Sequence, residues 1–182
     1  FSETMKSYVQ LLVPEGALAA YQSAEVWKDF AHITESEGAV EFEYDGICYR
    51  IIIGNDSAMI RPRLDKESVM VSAYPDSIVI PETVWYDNKE YVVNAIGEYA
   101  FYECELNYLS IPATVKEIGY EGLSAFFNGT VICYATIPPR SLGYSRFGVS
   151  NDAVLRVPKA SMELYEQAVW WEDFWRFNAK VG

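Results

Sequence analysis

The sequence is poor in the residues that most often carry catalysis and metal binding. It has one histidine, His32, and three cysteines, Cys48, Cys104 and Cys133, none of which forms a Cys-x-x-Cys pair. The ligand spacing of a zinc site is therefore missing. A catalytic thiol needs a neighbouring base, and the chain contains no Gly-x-Ser-x-Gly motif, phosphate loop or dinucleotide fingerprint. We expect a protein that is not an enzyme, with no catalytic residues, no metal and no cofactor, and we interpret the cysteines as small buried apolar side chains.

Basic residues are also scarce. The chain has 14 lysines and arginines against 26 aspartates and glutamates, which gives a formal net charge of −12. An acidic chain repels phosphate backbones, so we expect no nucleic-acid partner. We interpret the charge as a contribution to solubility.

Long apolar runs are missing as well. No run approaches the roughly 18 residues that are needed to span a bilayer, so we expect no transmembrane segment. The first residues, Phe1-Ser2-Glu3-Thr4, include neither a methionine nor the basic stretch that begins a signal peptide. We expect the chain to be a fragment of a longer protein.

Aromatic residues, in contrast, are abundant. Hydrophobic residues make up 51% of the chain and aromatic residues 15%, with 14 tyrosines and 5 tryptophans. This composition allows a sizeable core and is typical of β structure with large packed surfaces.

One segment occurs twice, 144 residues apart. Residues 11–34 read LLVPEGALAAYQSAEVWKDFAHIT and residues 155–178 read LRVPKASMELYEQAVWWEDFWRFN. Internal repetition of this kind is a primary signal for the fold. The first copy predicts a short strand that stops at its proline and a short helix over 15–25. We predict that residues 1–36 are the C-terminal strand–helix cap of an upstream repeat unit, and that residues 37–182 form a second unit with its own cap. The positions of the first copy that match are Leu11, Val13, Pro14, Tyr21, Ala24, Trp27, Asp29 and Phe30.

Residues 40–53 predict a β-hairpin. Phe42 and Tyr44 alternate with glutamates, and Asp45-Gly46 supplies a tight turn. Further strand-like runs follow at 57–61 and 67–72.

A finer repeat lies in the second half of the chain. The run 78–84, IVIPETV, matches the run 109–115, LSIPATV, and the run 96–101, IGEYAF, recurs 22 residues later as IGYEGL. A period near 22 with one short apolar strand per repeat indicates a solenoid, in which stacked turns share one core.

The spacing of the first pair is longer because it contains an insertion at 85–93. We predict that this insertion is a second hairpin, which turns at Asp87-Asn88. We also predict that Gly97 and Gly119 adopt backbone angles that other residues resist.

These runs resemble the BspA-like leucine-rich repeat family, a group of bacterial surface proteins. The family's repeat reads roughly as a strand, then Ile-Pro, Ser/Thr-Val, Ile-Gly, Ala-Phe and Cys. The residues that carry the resemblance are Ile96, Gly97, Ala100, Phe101 and Cys104 in one turn and Leu106, Leu109, Ile111, Pro112, Thr114, Val115, Ile118 and Gly119 after it. The next turn departs from the pattern at 122–124, where Gly-Leu-Ser replaces Ala-Phe, so we predict an irregular turn there.

The resemblance implies a mainly β protein with short helices, an α/β repeat that folds as a leucine-rich-repeat solenoid. Its parts would be an N-terminal β-hairpin region at 37–76, repeats at 77–157 and a Trp-rich C-terminal cap at 158–182. The resemblance also implies an extracellular or cell-surface location and a non-enzymatic role in binding or adhesion.

Strand alternation predicts a candidate binding strip on the outer face of the repeat strands. With Ile78, Leu109, Val131 and Leu155 taken as inward, the next residues on either side point outward. The strip is neutral and mildly apolar, which suits contact with a protein better than contact with an anionic ligand. We predict a partner protein or a host or extracellular-matrix surface; the alternative is an ordinary solvated face. The strip consists of Ser77, Val79, Tyr108, Ser110, Thr130, Ile132, Val154 and Arg156.

The tryptophan-rich end has two interpretations. The repeat favours a plug that seals the last turn, because Tyr21 and Trp27 occupy the matching positions of the first copy. Trp170 and Trp175 have no aromatic counterpart there, and together with Trp85 they would offer a surface on which sugars stack. A carbohydrate-binding module that uses these three tryptophans is the alternative function, with a glycan as the partner.

Overall fold

The computed structural model describes residues 10–14, 16–36, 38–52, 54–64, 74–143, 148–169, 171 and 180–181. Within these residues the protein is mainly β, with two short α-helices and one short 3-10 helix, which confirms the predicted class. The chain divides into two compact units, one made of residues 1–40 with 51–55 and the other of 41–50 with 56–182. The predicted boundary after residue 36 stays a prediction.

The first unit contains strand β1 (Gln10–Pro14), helix α1 (Leu18–Ser23) and strand β2 (His32–Ser36). The two strands are parallel, with Leu11 opposite Ile33. Parallel strands cannot be joined by a tight turn, and α1 with the turn that follows it supplies the crossover. The strand and helix that the repeated segment predicts are both found.

The ends of α1 have local causes. Gly16 has a φ of 78°, a left-handed conformation that favours glycine, and the helix begins two residues later. The N–H of Leu18 donates to Oε1 of Glu35 at 2.9 Å, which satisfies one donor of the first turn. Ala24 is extended, with a ψ of 132°, and ends the helix. The helix is therefore shorter than the predicted 15–25.

Two larger sheets contain the remaining strands. Their strand orders are β12-β10-β8-β5-β4-β3, with β7 paired to β8, and β15-β14-β11-β9-β6, with β13 paired to β11. The first sheet comprises β3 (Ala39–Tyr44), β4 (Ile47–Ile52), β5 (Ser57–Ile60), β7 (Thr83–Tyr86), β8 (Lys89–Ile96), β10 (Glu117–Ile118) and β12 (Arg140–Ser141). The second comprises β6 (Ser77–Val79), β9 (Glu105–Ile111), β11 (Phe126–Cys133), β13 (Gly148–Val149), β14 (Val154–Arg156) and β15 (Lys180–Val181).

From β6 to β13 the chain passes back and forth between these two sheets, with the β7–β8 hairpin counted as one passage through the first sheet, and strands of successive turns pair in parallel. In the second sheet Ile78 lies opposite Leu109, Leu109 opposite Val131, and Val131 opposite Leu155. All four side chains are buried. The residues that the finer repeat predicts to be equivalent and inward are therefore neighbours in the core.

Both predicted hairpins are confirmed. Asp45-Gly46 joins β3 to β4 with φ values of 49° and 76°, and Asp87-Asn88 joins β7 to β8 with φ values of 47° and 60°. Positive φ at both central residues is typical of the tight turns that match the twist of a hairpin. The strand predicted at 67–72 lies outside the described residues.

Gly97 and Gly119 occupy equivalent positions of the two turns, but glycine is needed there for a different reason from the one that the sequence suggests. Neither adopts the left-handed conformation; instead, a Cβ on Gly97 would lie 2.5 Å from the carbonyl oxygen of Ile60, and one on Gly119 would lie 2.7 Å from the backbone nitrogen of Glu98. The prediction of unusual backbone angles is wrong. Glycine is required because the backbone of the neighbouring turn passes too close for any side chain.

Cys104 and Cys133 are buried, which confirms their interpretation as core side chains, whereas Cys48 is half-buried. Burial is the main cause that raises the pKa of the Cys104 and Cys133 thiols. A raised pKa keeps a thiol protonated and therefore unreactive.

The second copy of the repeated segment folds like the first. After β14 come a 3-10 helix, Lys159–Ser161, and helix α2, Met162–Gln167, which lies 144 residues after α1. The extended Ala168 ends α2 as Ala24 ends α1. In both copies a later strand then pairs in parallel with the first strand of the segment, β2 with β1 and β15 with β14.

The two copies differ in burial. The Tyr165 and Trp171 rings meet edge to face with centroids 5.2 Å apart, and both side chains are fully buried. The Tyr165 hydroxyl donates to the Ala135 carbonyl at 2.8 Å. The corresponding Tyr21 and Trp27 rings lie 5.9 Å apart and stay partly exposed. The buried Trp171 agrees with the plug interpretation.

Replacing Tyr165 by phenylalanine should lower the free energy of unfolding by about 1 kcal/mol, because the buried Ala135 carbonyl loses its hydrogen bond. The matched control is Tyr21→Phe, since the Tyr21 hydroxyl has no hydrogen-bond partner within the described residues. We expect the control to change stability little. Urea unfolding followed by circular dichroism measures both variants, and equal losses would contradict the prediction.

Stability should also fall in alkali. Burial is the main cause that raises the pKa of Tyr49, Tyr74 and Tyr165. An unfolded chain releases tyrosine protons near pH 10, whereas the folded protein retains them. The stabilisation is therefore complete below about pH 10 and is lost as the pH rises above that value. Urea unfolding at a series of alkaline pH values measures the effect, and an unchanged free energy of unfolding would disprove it.

Candidate functional site

The eight residues of the predicted strip occupy two rows that cross the second sheet. One row runs from Ser77 through Tyr108 and Thr130 to Val154, and each residue lies opposite the next across a strand pair. The other row is formed in the same register by Val79, Ser110, Ile132 and Arg156. We call these eight residues the strand face. Four strands that are separate in sequence thus bring them together.

The strand face is uneven. Val79 is 63% exposed, and Ser77 and Arg156 are also exposed, whereas Ser110 is only 6% exposed. The prediction that Ser110 contributes an outward surface is therefore wrong. Ser110 lies directly between the larger Val79 and Ile132 of the neighbouring strands, which leaves little of it accessible. The remaining members, Tyr108, Thr130, Ile132 and Val154, are half-buried.

A β-bulge in β11 keeps the rows aligned. Leu106 lies opposite Phe127, but Tyr108 lies opposite Thr130, so Asn128 and Gly129 together face one residue of β9. A Cβ on Gly129 would collide with the carbonyl oxygen of Asn107. The extra residue shifts the register by one, so that Thr130 and not Gly129 lies opposite Tyr108. The bulge lies within strand β11 and not in the turn at 122–124, where the sequence predicts an irregularity.

Polar contacts fix one border of the strand face. The Asp76 carbonyl accepts hydrogen bonds from the N–H groups of Asn107 at 2.7 Å and Tyr108 at 3.0 Å. Nδ2 of Asn107 also donates to Oδ2 of Asp76 at 2.8 Å. The start of β6 is therefore held to β9 by backbone and side chain together.

A cavity of about 270 Å³ lies beside β6. Its walls include Ser77 and Val79 of the strand face, together with Asp45 from the β3–β4 turn and Pro75. Within the described residues β6 is the end strand of its sheet. Sequence reasoning missed this cavity, since the residues that form it come from distant segments.

Tyr134 is a further exposed residue near the strand face that is not among the predicted site residues. It follows β11, is 54% exposed, and its N–H donates to the Ile111 carbonyl at 3.0 Å. Tyr134 lies two residues after Ile132, so continued alternation places it on the side of the strand face. The sequence signal for Tyr134 is the same alternation of inward and outward residues, continued past Cys133.

Of the three alternative tryptophans, Trp85 lies within the described residues. Trp85 is 55% exposed and lies on β7 of the first sheet, away from the strands of the strand face. Trp170 and Trp175 lie outside the described residues.

The described part of the chain offers no group of three His, Cys, Asp or Glu side chains able to hold a metal ion. None of the helices in the described ranges has the length and apolar character needed to cross a membrane.

No protein-family model and no curated protein matches the chain. A crystal structure of a leucine-rich repeat protein from Bacteroides capillosus is weakly similar, with a TM-score of 0.40 and 19% sequence identity over 66% of this chain and 83% of that chain. At this level of likeness the BspA-like resemblance stays a prediction.

Replacing Gly129 by alanine should lower the free energy of unfolding by about 2 kcal/mol, because the added methyl group meets the Asn107 backbone and forces the strands apart. Asn128→Ala is the control, since it trims the same bulge without adding an atom near Asn107. Urea unfolding distinguishes the two variants. Equal stability of Gly129→Ala and the unmodified protein would show that the bulge tolerates a side chain.

Proposed function

We propose that this chain is a non-enzymatic binding or adhesion module of a bacterial cell-surface protein of the BspA-like leucine-rich repeat type. In this proposal its two alternating sheets are the sides of a solenoid, and the strand face contacts a protein on a host or extracellular-matrix surface. Its location would be extracellular or at the cell surface.

The observation that carries the proposal is the register of four parallel strands. The pairs Val79–Ser110, Ser110–Ile132 and Ile132–Arg156 are direct neighbours. A continuous surface made by short strands from successive turns is the binding arrangement that repeat proteins provide. The strand and turn alternation from β6 to β13 also supports the solenoid.

The chemistry of the strand face favours a protein partner. The strand face is apolar at the exposed Val79, which lies at one end of its row, and Tyr134 adds an exposed aromatic ring after β11. Arg156 is the one charged member of the strand face. Protein interfaces combine apolar and aromatic groups with few charges at the centre and polar groups at the rim. The strand face carries too little positive charge to bind a nucleic acid or another polyanion.

The carbohydrate alternative retains one supporting observation. Trp85 is exposed on β7, and an exposed indole ring is a surface on which a sugar can stack. In that alternative the glycan would bind at the first sheet. Substitution of Trp85 therefore tests the carbohydrate alternative, and substitution of Val79 tests the strand-face proposal.

Val79→Glu should weaken binding to a matrix protein at least about tenfold, because a carboxylate that is added to a covered part of the interface is desolvated without a partner. The assay is biolayer interferometry of the immobilised chain against a panel of purified extracellular-matrix proteins. Val169→Glu is the matched control, because Val169 is 64% exposed and lies after α2, outside the strand face. We expect the control to bind like the unmodified protein.

The same chain on a glycan array tests the alternative. Glycan binding that is lost in Trp85→Ala and retained in Val79→Glu would favour the carbohydrate module. Equal loss of matrix-protein binding in Val79→Glu and Val169→Glu would remove the strand face as the site. Failure of the whole panel to bind would remove the matrix partner.

A further inference from the structure

Three tyrosines form a second surface that the strand face does not include. Tyr99 and Tyr102 lie in the turn between β8 and β9, and Tyr120 lies in the turn between β10 and β11. The two turns stack through backbone hydrogen bonds: the N–H of Tyr99 donates to the Tyr120 carbonyl at 3.0 Å, and the N–H of Glu103 donates to the Ser124 carbonyl at 2.9 Å. We call these three tyrosines the tyrosine ridge.

The rings of the tyrosine ridge meet edge to face. The centroid of the Tyr99 ring lies 5.6 Å from that of Tyr102 at an interplanar angle of 84°, and 5.5 Å from that of Tyr120 at 76°. Tyr120 is 41% exposed, and the other two rings are partly exposed. In an edge-to-face pair the edge of one ring covers one face of its partner, so the opposite face of that partner and both faces of the edge-on ring are not covered by the pair.

Strained backbone accompanies the ridge. Tyr99, Glu103 and Glu121 have φ values of 55°, 56° and 52°. These are left-handed conformations that cost free energy for residues with a Cβ and that favour glycine or asparagine. Tyrosine and glutamate therefore occupy turn positions where folding alone would prefer other residues. Tyr99 and Glu121 lie 22 residues apart at equivalent positions of the two turns, so the left-handed conformation belongs to the repeated turn, and of the three ridge tyrosines Tyr99 alone adopts it.

Glutamates surround the rings. Glu98 and Glu103 are exposed beside Tyr99 and Tyr102, and Glu121 follows Tyr120. The two turn segments, 97–104 and 119–125, contain no lysine or arginine. The charge of Glu103 is the largest cause that raises the pKa of Tyr102, which agrees with a negative potential at the ridge. In a chain of net charge −12, this surface attracts cations.

We propose that the tyrosine ridge binds the arginine or lysine side chains of a basic segment of a partner protein. A cation over an aromatic face is attracted by the ring quadrupole, and the flanking glutamates add charge attraction. A contact of this kind already exists within the described residues, since Nζ of Lys89 lies 4.9 Å from the centre of the Tyr91 ring. The proposal does not depend on the strand face, because none of the ridge residues belongs to it.

The test uses the whole chain and a fluorescent peptide of alternating arginine and glycine, with a peptide of alternating glutamine and glycine as the neutral probe. Fluorescence anisotropy should show that the arginine peptide binds at low salt and the neutral peptide does not. Tyr120→Leu and Glu103→Gln should each weaken the binding by about threefold to fivefold. Tyr120→Phe should restore binding, since it retains the ring.

Matched controls lie elsewhere on the surface. Trp85→Leu removes an exposed aromatic side chain from β7, and Glu163→Gln removes an exposed carboxylate from α2. Both should bind the arginine peptide like the unmodified protein. Urea unfolding of Tyr120→Leu verifies that the fold is retained, and Tyr120→Phe provides a second variant if it is not.

Three results would overturn the proposal. The first is failure of the arginine peptide to bind at low salt. The second is binding that Glu163→Gln weakens as much as Glu103→Gln, with Tyr120→Leu unchanged, which would mean attraction to net charge alone. The third is neutral glycan binding that Tyr120→Leu abolishes while the arginine peptide does not bind, which would make the ridge a sugar surface.

Discussion

The second sheet depends on one row of buried apolar side chains that successive turns share. Ile78, Leu109, Val131 and Leu155 come from four strands and lie opposite one another. Strands as short as the three residues of β6 or β14 are not stable alone, so each depends on its parallel neighbour. Since side chains alternate with a period of two, the same register that buries this row exposes the rows on either side. The candidate binding surface is thus a consequence of the core.

Much of this arrangement could be predicted because the sequence repeats it. The Ile-Pro runs recur with apolar residues at fixed positions, and their alignment predicts the register of β6 and β9. The hairpin turns at Asp45-Gly46 and Asp87-Asn88 were predictable because few residue pairs adopt two positive φ values at low cost. The strand and helix of each repeated segment followed from the proline and the apolar spacing. These features depend on neighbours in the sequence.

The features that the sequence did not reveal depend on neighbours in space. Ser110 alternates as an outward residue, yet its exposure is decided by Val79 and Ile132 on the adjacent strands. Gly97 resembles a turn glycine, but the Ile60 carbonyl that excludes its side chain belongs to another strand. The type of a residue indicates which backbone conformations it prefers. It does not indicate how close the backbone of a distant part of the sequence lies to it in the folded protein. For the same reason the cavity beside β6 could not be anticipated.

The repeated segment separates these two influences within one chain. Helices α1 and α2 occupy matching positions and end at matching extended alanines, so their conformation follows from local sequence. Burial does not follow in the same way, because Tyr165 is fully buried against the carbonyl of Ala135 while Tyr21 stays partly exposed. Ala135 follows β11, the strand that precedes β14 in the sheet. The local sequence of a turn therefore determines its backbone conformation, whereas packing against the preceding turn stabilises it. That dependence explains why successive strands keep their register closely enough for their outer residues to form a single surface.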